Sequence, residues 1–368
     1  MTISETENNR PLVRFEHIEK SYDGETLVVK DLNLDIARGE FVTMLGPSGS
    51  GKTTCLMMLS GFETPTNGEI YLEDRPIGSI PPHKRNIGFC FQTYALFPHM
   101  TISENIAYPL HVRKIPKDEI ERKVSKTLEM VELPGFEGRR PSQLSGGQMQ
   151  RIALARALVF EPELVLMDEP LGALDKNLRE QMQFEIKAIH ENFGLTVVYV
   201  THDQSEALTM SNRIAVFEEG IIQQISTPDI LYEKPENAFV AQFIGENNKL
   251  TGTVIEIDGD KCTVEVEGRT VKALKVNVNE VGDKTSLSLR PERVTVNPEE
   301  GKLENVFEGT VRQLIYLGDH IRTRVNVCGN NDFIIKVPNS YGHLVVNRDH
   351  KIKVGWSYED CRALDALD

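Results

Sequence analysis

Two textures of hydrophobic patterning meet near residue 245. Before it, short apolar runs alternate with longer helical patterns. Phe41-Val42-Thr43-Met44-Leu45, Leu164-Val165-Leu166-Met167 and Thr196-Val197-Val198-Tyr199-Val200 read as strands. Each is apolar at consecutive positions, as strands buried on both faces of a parallel sheet are. Helical stretches such as residues 176–193 lie between them, and this alternation predicts an α/β layer fold. After about Leu250, period-two alternation takes over at 253–257 and 263–267, split by the turn Asp258-Gly259-Asp260. Further short strands are expected at 285–289, 309–314, 321–327 and 333–337, punctuated by Gly268, Gly318 and Gly329-Asn330-Asn331. That pattern predicts a small barrel or sandwich, with room for two similar halves. The chain therefore divides into residues 1–245 and 246–368.

Composition narrows the function classes. At 368 residues, 40% hydrophobic and 26% charged, the chain is long enough for a full core and is no disordered segment. Its 41 basic and 55 acidic residues give a net charge of -14, which argues against nucleic acid as a partner. No apolar run approaches the ~18–20 residues needed to cross a bilayer. The polar stretch from Met1 to Arg10 does not read as a secretory leader. Five scattered cysteines (Cys55, Cys90, Cys262, Cys328, Cys361) fit no zinc or redox spacing, so reduced thiols in the cytoplasm are expected.

The first chemistry-bearing motif is Gly46-Pro47-Ser48-Gly49-Ser50-Gly51-Lys52-Thr53, between a strand and a helical pattern beginning near Thr54. Glycines at these positions let backbone N–H groups converge on phosphate oxygens at a helix N-terminus. Lys52 supplies a positive charge to the β- and γ-phosphates of ATP, and the Thr53 hydroxyl can bind Mg²⁺. The second is Asp168-Glu169 at the end of an apolar strand. Two carboxylates at the carboxyl edge of a parallel sheet suit a metal holder, Asp168, and a group that polarises the attacking water, Glu169. The third is Leu144-Ser145-Gly146-Gly147-Gln148 before the helical pattern 149–159. Ser145 and Gln148 have capping-box spacing, and the two glycines leave the helix end open to phosphate. Two phosphate-facing helix ends for one nucleotide are reconciled by a head-to-tail dimer, although from the spacing alone a cap with no ligand is the better reading.

These residues resemble the ATP-binding subunits of ABC transporters. Tyr22, in Ser21-Tyr22-Asp23-Gly24, stands where the family stacks an aromatic on adenine. Gly46 to Thr53, with Thr54, is its phosphate loop. Phe91-Gln92 is similar to its glutamine loop, which implies a role for Gln92 at the Mg²⁺ and between nucleotide and permease. Leu144 to Gln148 is similar to its signature motif, 166–170 to its second nucleotide motif, and Gly172-Ala173-Leu174-Asp175 to its dimer-contact loop. The family often has serine where Gly172 stands, which leaves a cross-dimer hydroxyl contact in doubt. Val200-Thr201-His202-Asp203 resembles its histidine switch, so that His202 senses the γ-phosphate. The resemblance implies an ABC ATPase domain with a helical subdomain at about 93–160, then all-β barrels similar to oligomer-binding folds.

Gln92 to Thr101, with Glu104-Asn105-Ile106 and Leu289-Arg290-Pro291-Glu292, resembles importers of polyamines, sugars and ferric iron. Residues 243–248 and 316–319 lean towards the spermidine/putrescine branch. The implied partners are a second copy of the chain, two permease subunits docking near Tyr94 to Met100, and indirectly a solute-binding protein. The implied place is the cytoplasmic face of the membrane. The apolar loop 94–100 is the expected docking surface, with local core as the other reading. The remaining alternatives are the same motor serving another solute, a soluble cassette ATPase in translation or repair, and a regulatory binding module.

Overall fold

The apolar runs become the inner strands of a parallel sheet because both of their faces are covered. A computed structural model describes residues 10–339 and 347–366, so the polar stretch 1–9 lies outside the described residues. By contacts the chain forms two compact units, Met1–Asp229 and Ile230–Asp368, divided ahead of the change in texture at 245.

The first unit opens with β1 (Pro11–Ser21) and β2 (Leu27–Ala37), followed by β3 (Phe41–Leu45), α1 (Lys52–Ser60), β4 (Asn67–Leu72), β5 (Arg75–Pro76) and β6 (Ile87–Cys90). Three helices follow, α2 (Ile102–Val112), α3 (Lys117–Met130) and α4 (Gly146–Leu158). Then come β7 (Leu164–Asp168), α5 (Lys176–Phe193), β8 (Thr196–Thr201), α6 (Gln204–Met210), β9 (Arg213–Glu218) and β10 (Ile221–Ser226). The main sheet has the order β10-β9-β3-β8-β7-β6, parallel except for the edge strand β10. Alternate residues serve opposite cores. Leu164 and Leu166 of β7 and Val198 and Val200 of β8 join α1 in one cluster. Val165, Met167, Val197 and Tyr199 face α5 residues Met182 and Ile186 in another. Because the strands are parallel, β3, β8, β7 and β6 all end at the same edge.

The structure adds an antiparallel sheet, β2-β1-β4-β5, that consecutive apolar runs do not mark. Its two long strands, β1 and β2, largely alternate more and less buried residues instead. Helices α2 to α4 share a core of their own around Ile106, Leu110, Val124, Leu128 and Ile152.

Among the described residues, the second unit holds α7 (Pro228–Glu233, whose first residues precede the division), α8 (Ala238–Phe243) and ten strands. β11 (Asn248–Asp258), β12 (Lys261–Val266), β13 (Arg269–Lys275) and β14 (Lys284–Leu289) form a barrel. Short β15 (Thr295–Val296), long β16 (Asn305–Tyr316), β17 (His320–Val327), β18 (Asn330–Pro338) and β19 (Lys351–Trp356) form a five-stranded sheet. The last strand, β20 (Cys361–Leu364), returns to close the barrel between β13 and β14. The expectation of paired barrels is thus refined: one is closed, and among the described residues the other is an open sheet, ordered β15-β19-β16-β17-β18. Arg290, 6% exposed, sits at the entry to this unit. Its guanidinium donates to the carbonyls of Tyr232, Ala241, Ile244 and Glu246 at 2.6–3.2 Å, so it satisfies main-chain acceptors near the end of α8.

Candidate nucleotide site

The phosphate loop turns directly out of β3 and into α1, which starts at Lys52, two residues earlier than its helical pattern suggests. Two glycines are required by the space. A Cβ on Gly46 would lie 2.3 Å from the Phe217 carbonyl oxygen, and Gly51 has φ +97 with its Cβ direction blocked by the Val28 carbonyl. Ser48 and Gly49 are exposed, Ser50 is buried and Thr54 half-buried. Lys52 is 4% exposed, and its ammonium donates to the carbonyls of Gly46 (2.9 Å) and Pro47 (2.8 Å) and to Ser50 Oγ (3.1 Å). Burial lowers its pKa; Glu169 and Asp168 oppose that shift.

Asp168, the last residue of β7, is 8% exposed. Its Oδ1 accepts from Thr53 Oγ1 at 3.1 Å. Burial raises its carboxyl pKa, opposed by that hydrogen bond. Glu169 follows with φ +43, in the left-handed region, where a non-glycine residue is uncommon. Its amide donates to the Val200 carbonyl at 2.9 Å and anchors it to β8. The turn aims the carboxylate between two neighbours: Gln92 Nε2 donates to Oε2 at 3.2 Å, and His202 Nδ1 lies 3.1 Å from Oε1. Gln92 comes from the end of β6 and His202 from the end of β8. Four strand ends thus bring Lys52, Thr53, Asp168, Glu169, Gln92 and His202 together.

Other candidates stand elsewhere. Tyr22 follows β1, is 59% exposed and has the Lys20 ammonium 4.8 Å from its ring centre, an accessible stacking face. Ser145 caps α4 in the expected capping box: its hydroxyl accepts from the Gln148 amide at 3.3 Å, and Gln148 Oε1 accepts from the Ser145 amide at 3.0 Å. Asp175 is the N-cap of α5 and accepts from the Leu178 amide. Among the described residues, no hydrogen bond joins either cap to the phosphate loop.

Within the loop 94–100 one residue, Tyr94, departs from the expected exposed surface. Tyr94 is a core residue, 7% exposed, because left-handed turns at Tyr94 and Ala95 fold its ring inward. The exposed apolar surface is a neighbouring groove of about 340 Å³ lined by Phe89, Phe91, Phe97, Tyr108 and Phe160, with Arg156 among them. Arg156 donates to the carbonyls of Tyr94 and Ala95. Asn105, fully buried, holds the rest of the loop through Phe97, Met100 and Thr101. Its spacing from the loop carried no signal of that role.

A family model described as ABC transporter matches residues 29–172, and a TOBE domain model matches 287–364. The spermidine/putrescine import ATP-binding protein PotA of Rubrobacter xylanophilus is 43% identical, over 97% of this chain and 95% of its own. The protein of that name from Trichodesmium erythraeum is 42% identical, over 99% and 96%. This chain belongs to the ATP-binding subunits of ABC transporters. Among solved structures, a dimeric ATP-binding cassette in a post-hydrolysis state with ADP and Pi is 35% identical. The match covers 59% of this ATP-binding subunit and 98% of that chain, with a TM-score of 0.52. CbiO1 of Clostridium perfringens, part of an ABC transporter complex, matches at 26% identity with a TM-score of 0.56, covering 60% of this chain and 90% of its own. Among the described residues, no helix is long and apolar enough to cross a membrane.

Proposed function

We propose that this protein is the ATP-hydrolysing motor of an importer for polyamines such as spermidine and putrescine. It works as a head-to-tail dimer beneath two permease subunits at the cytoplasmic face of the membrane. The observation that carries the ATPase reading is the Gln92–Glu169–His202 cluster beside Lys52 and Thr53–Asp168. Support for the solute comes from relatives that share over two fifths of their residues along nearly the whole chain, the barrel unit included.

Each side chain has a task that its surroundings suit. Lys52 exchanges loop carbonyls for β- and γ-phosphate oxygens, while the first amides of α1 face the same charge. The Thr53 hydroxyl and Asp168 carboxylate, oxygen donors 3.1 Å apart, fit Mg²⁺, which would neutralise phosphate charge there. Gln92 shares the Mg²⁺ and reports its state towards the groove. Glu169 orients and deprotonates the attacking water, with Gln92 and His202 holding its two oxygens. His202 then senses the γ-phosphate. Tyr22 stacks on adenine, and the partner's signature helix end at Ser145 to Gln148, with Asp175 nearby, closes the site.

Permease docking is assigned to the aromatic groove beside 94–100, with Phe97 central. The test is co-purification of the transporter with Phe97→Asp. Assembly falls by at least tenfold, as loss of an aromatic anchor implies, with ATP binding unchanged. Unaltered assembly contradicts the docking site. For the solute, reconstituted transporter should hydrolyse ATP faster when its binding protein is loaded with spermidine; stimulation by a sugar or ferric iron instead contradicts the polyamine reading.

A further inference from the structure

A half-buried polar cluster lies beside His202, built on the buried Glu206, and the tasks assigned above do not use it. Arg179, on the first turn of α5, reaches two loops with one guanidinium. One terminal nitrogen donates to the Leu174 carbonyl at 3.0 Å, in the dimer-contact loop. The other donates to Asp203 Oδ2 at 3.1 Å, next to His202. Glu206, 2% exposed, stands behind both. Its Oε2 accepts from the hydroxyls of Tyr199 (2.8 Å) and Thr201 (2.7 Å), which fix it to the end of β8.

One bond in this cluster is missing. Arg179 Nε is buried and has no hydrogen-bond partner. It lies 3.9 Å from Glu206 Oε1. A hydrogen bond needs roughly 2.7–3.2 Å, so a shift of about 1 Å would complete the cluster. The contact is a long ion pair with no hydrogen bond in it, and a buried donor left without a hydrogen bond is costly, which calls for a reason.

The other side of the dimer-contact loop touches the signature helix. A Cβ on Gly146 would lie 3.2 Å from Leu174 Cδ2, and one on Gly147 would lie 3.0 Å from Leu178 Cδ1. Leu174 and Leu178 therefore seat directly on the backbone of the α4 N-terminus. Contact is continuous from Gly146 and Gly147, through Leu174 and Arg179, to Asp203 and Glu206 around His202. These two ends serve different nucleotides in a head-to-tail dimer.

We propose that Arg179 is a positioning residue that ties the dimer-contact loop to the histidine loop, its bond to Glu206 closing as the loop moves. Each subunit's Ser145 end and His202 then respond together, and the two nucleotide sites fire as a pair. The inference rests on the motor reading above and adds to it the positioning role of Arg179 and Glu206.

The test is ATP hydrolysis by the reconstituted full-length transporter over a range of ATP concentrations, beside nucleotide binding by the isolated subunit. Arg179→Ala is expected to lower kcat roughly tenfold or more, as misplacement of a group by ~1 Å does, with nucleotide binding unchanged. The Hill coefficient should fall towards one. Arg179→Lys keeps the charge but not the fork, so it should recover part of kcat and none of the cooperativity. Glu206→Gln should likewise lose cooperativity. If Arg179→Ala does not fold, Arg179→Lys and Glu206→Gln decide. A lower Tm with wild-type kcat and Hill coefficient means that the cluster is only structural and overturns the inference. A wild-type transporter that hydrolyses no ATP overturns the motor reading, and this one with it.

Discussion

Lys52 and Arg290 are both buried cations held by main-chain carbonyls, one in each unit of the chain. Their surroundings set them apart. Lys52 touches two carbonyls and a hydroxyl of a loop whose tip, Ser48 and Gly49, is exposed, and two carboxylates lie close enough to affect its charge. Arg290 spends its donors on four carbonyls around α7 and α8. On the proposed reading the first arrangement is traded for a phosphate, whereas the second ties α7 and α8 to the end of β14. A buried cation signals chemistry when its partners are exchangeable and other charged groups converge on it, and architecture when its partners are fixed.

The largest expected effect follows from that distinction. Lys52→Ala should lower hydrolysis by the transporter about 10²–10³-fold, the usual loss when a charge-stabilising donor is removed, with Tm unchanged. Loss of fold with Lys52→Ala would erase the contrast. Arg290→Met should do the reverse. Two buried and two half-buried carbonyls lose their donor, and unfolding should become easier by about 3 kcal/mol in denaturant titration, with nucleotide affinity unchanged. An Arg290→Met protein of normal stability would mean that its bonds are dispensable.

A smaller effect sharpens the same contrast through pH. Burial raises the Asp168 carboxyl above its ordinary 3.8, with the Thr53 bond opposing and Glu169 adding to the shift. The folded chain therefore holds this proton more tightly than the unfolded chain. The group's contribution to stability is greatest when protonated and declines as pH rises through the folded pKa. Asp168→Asn should thus raise Tm at pH 7, with a gain that shrinks towards pH 4, while hydrolysis is lost. A lower Tm at pH 7 would show that Asp168 supports the fold.

How much of this was legible in the sequence follows from distance along the chain. Gly46 to Thr53 and the cap Ser145–Gln148 are local geometry, so spacing alone exposes them. Asp168 and His202 were legible because apolar strands run into them. Arg179 was not, since its tie to Asp203 depends on how α5 lies against β8. Tyr94 reads as one more apolar loop residue until two left-handed turns fold it inward. Closure of the barrel by 361–364 depends on pairing with strands 72 to 88 positions earlier, from Leu289 opposite Cys361 to Leu274 opposite Arg362, and no local pattern encodes that.

The central claim is that Glu169 is the base of an ATP-driven dimer, and Glu169→Gln tests it most directly. The amide keeps the shape between Gln92 and His202 while removing the base, so turnover should fall about 10²–10⁴-fold with binding retained. Light scattering on the purified variant should find a dimer in Mg-ATP that returns to monomer in Mg-ADP. Turnover at the wild-type rate, or a monomer in both nucleotides, would contradict the account.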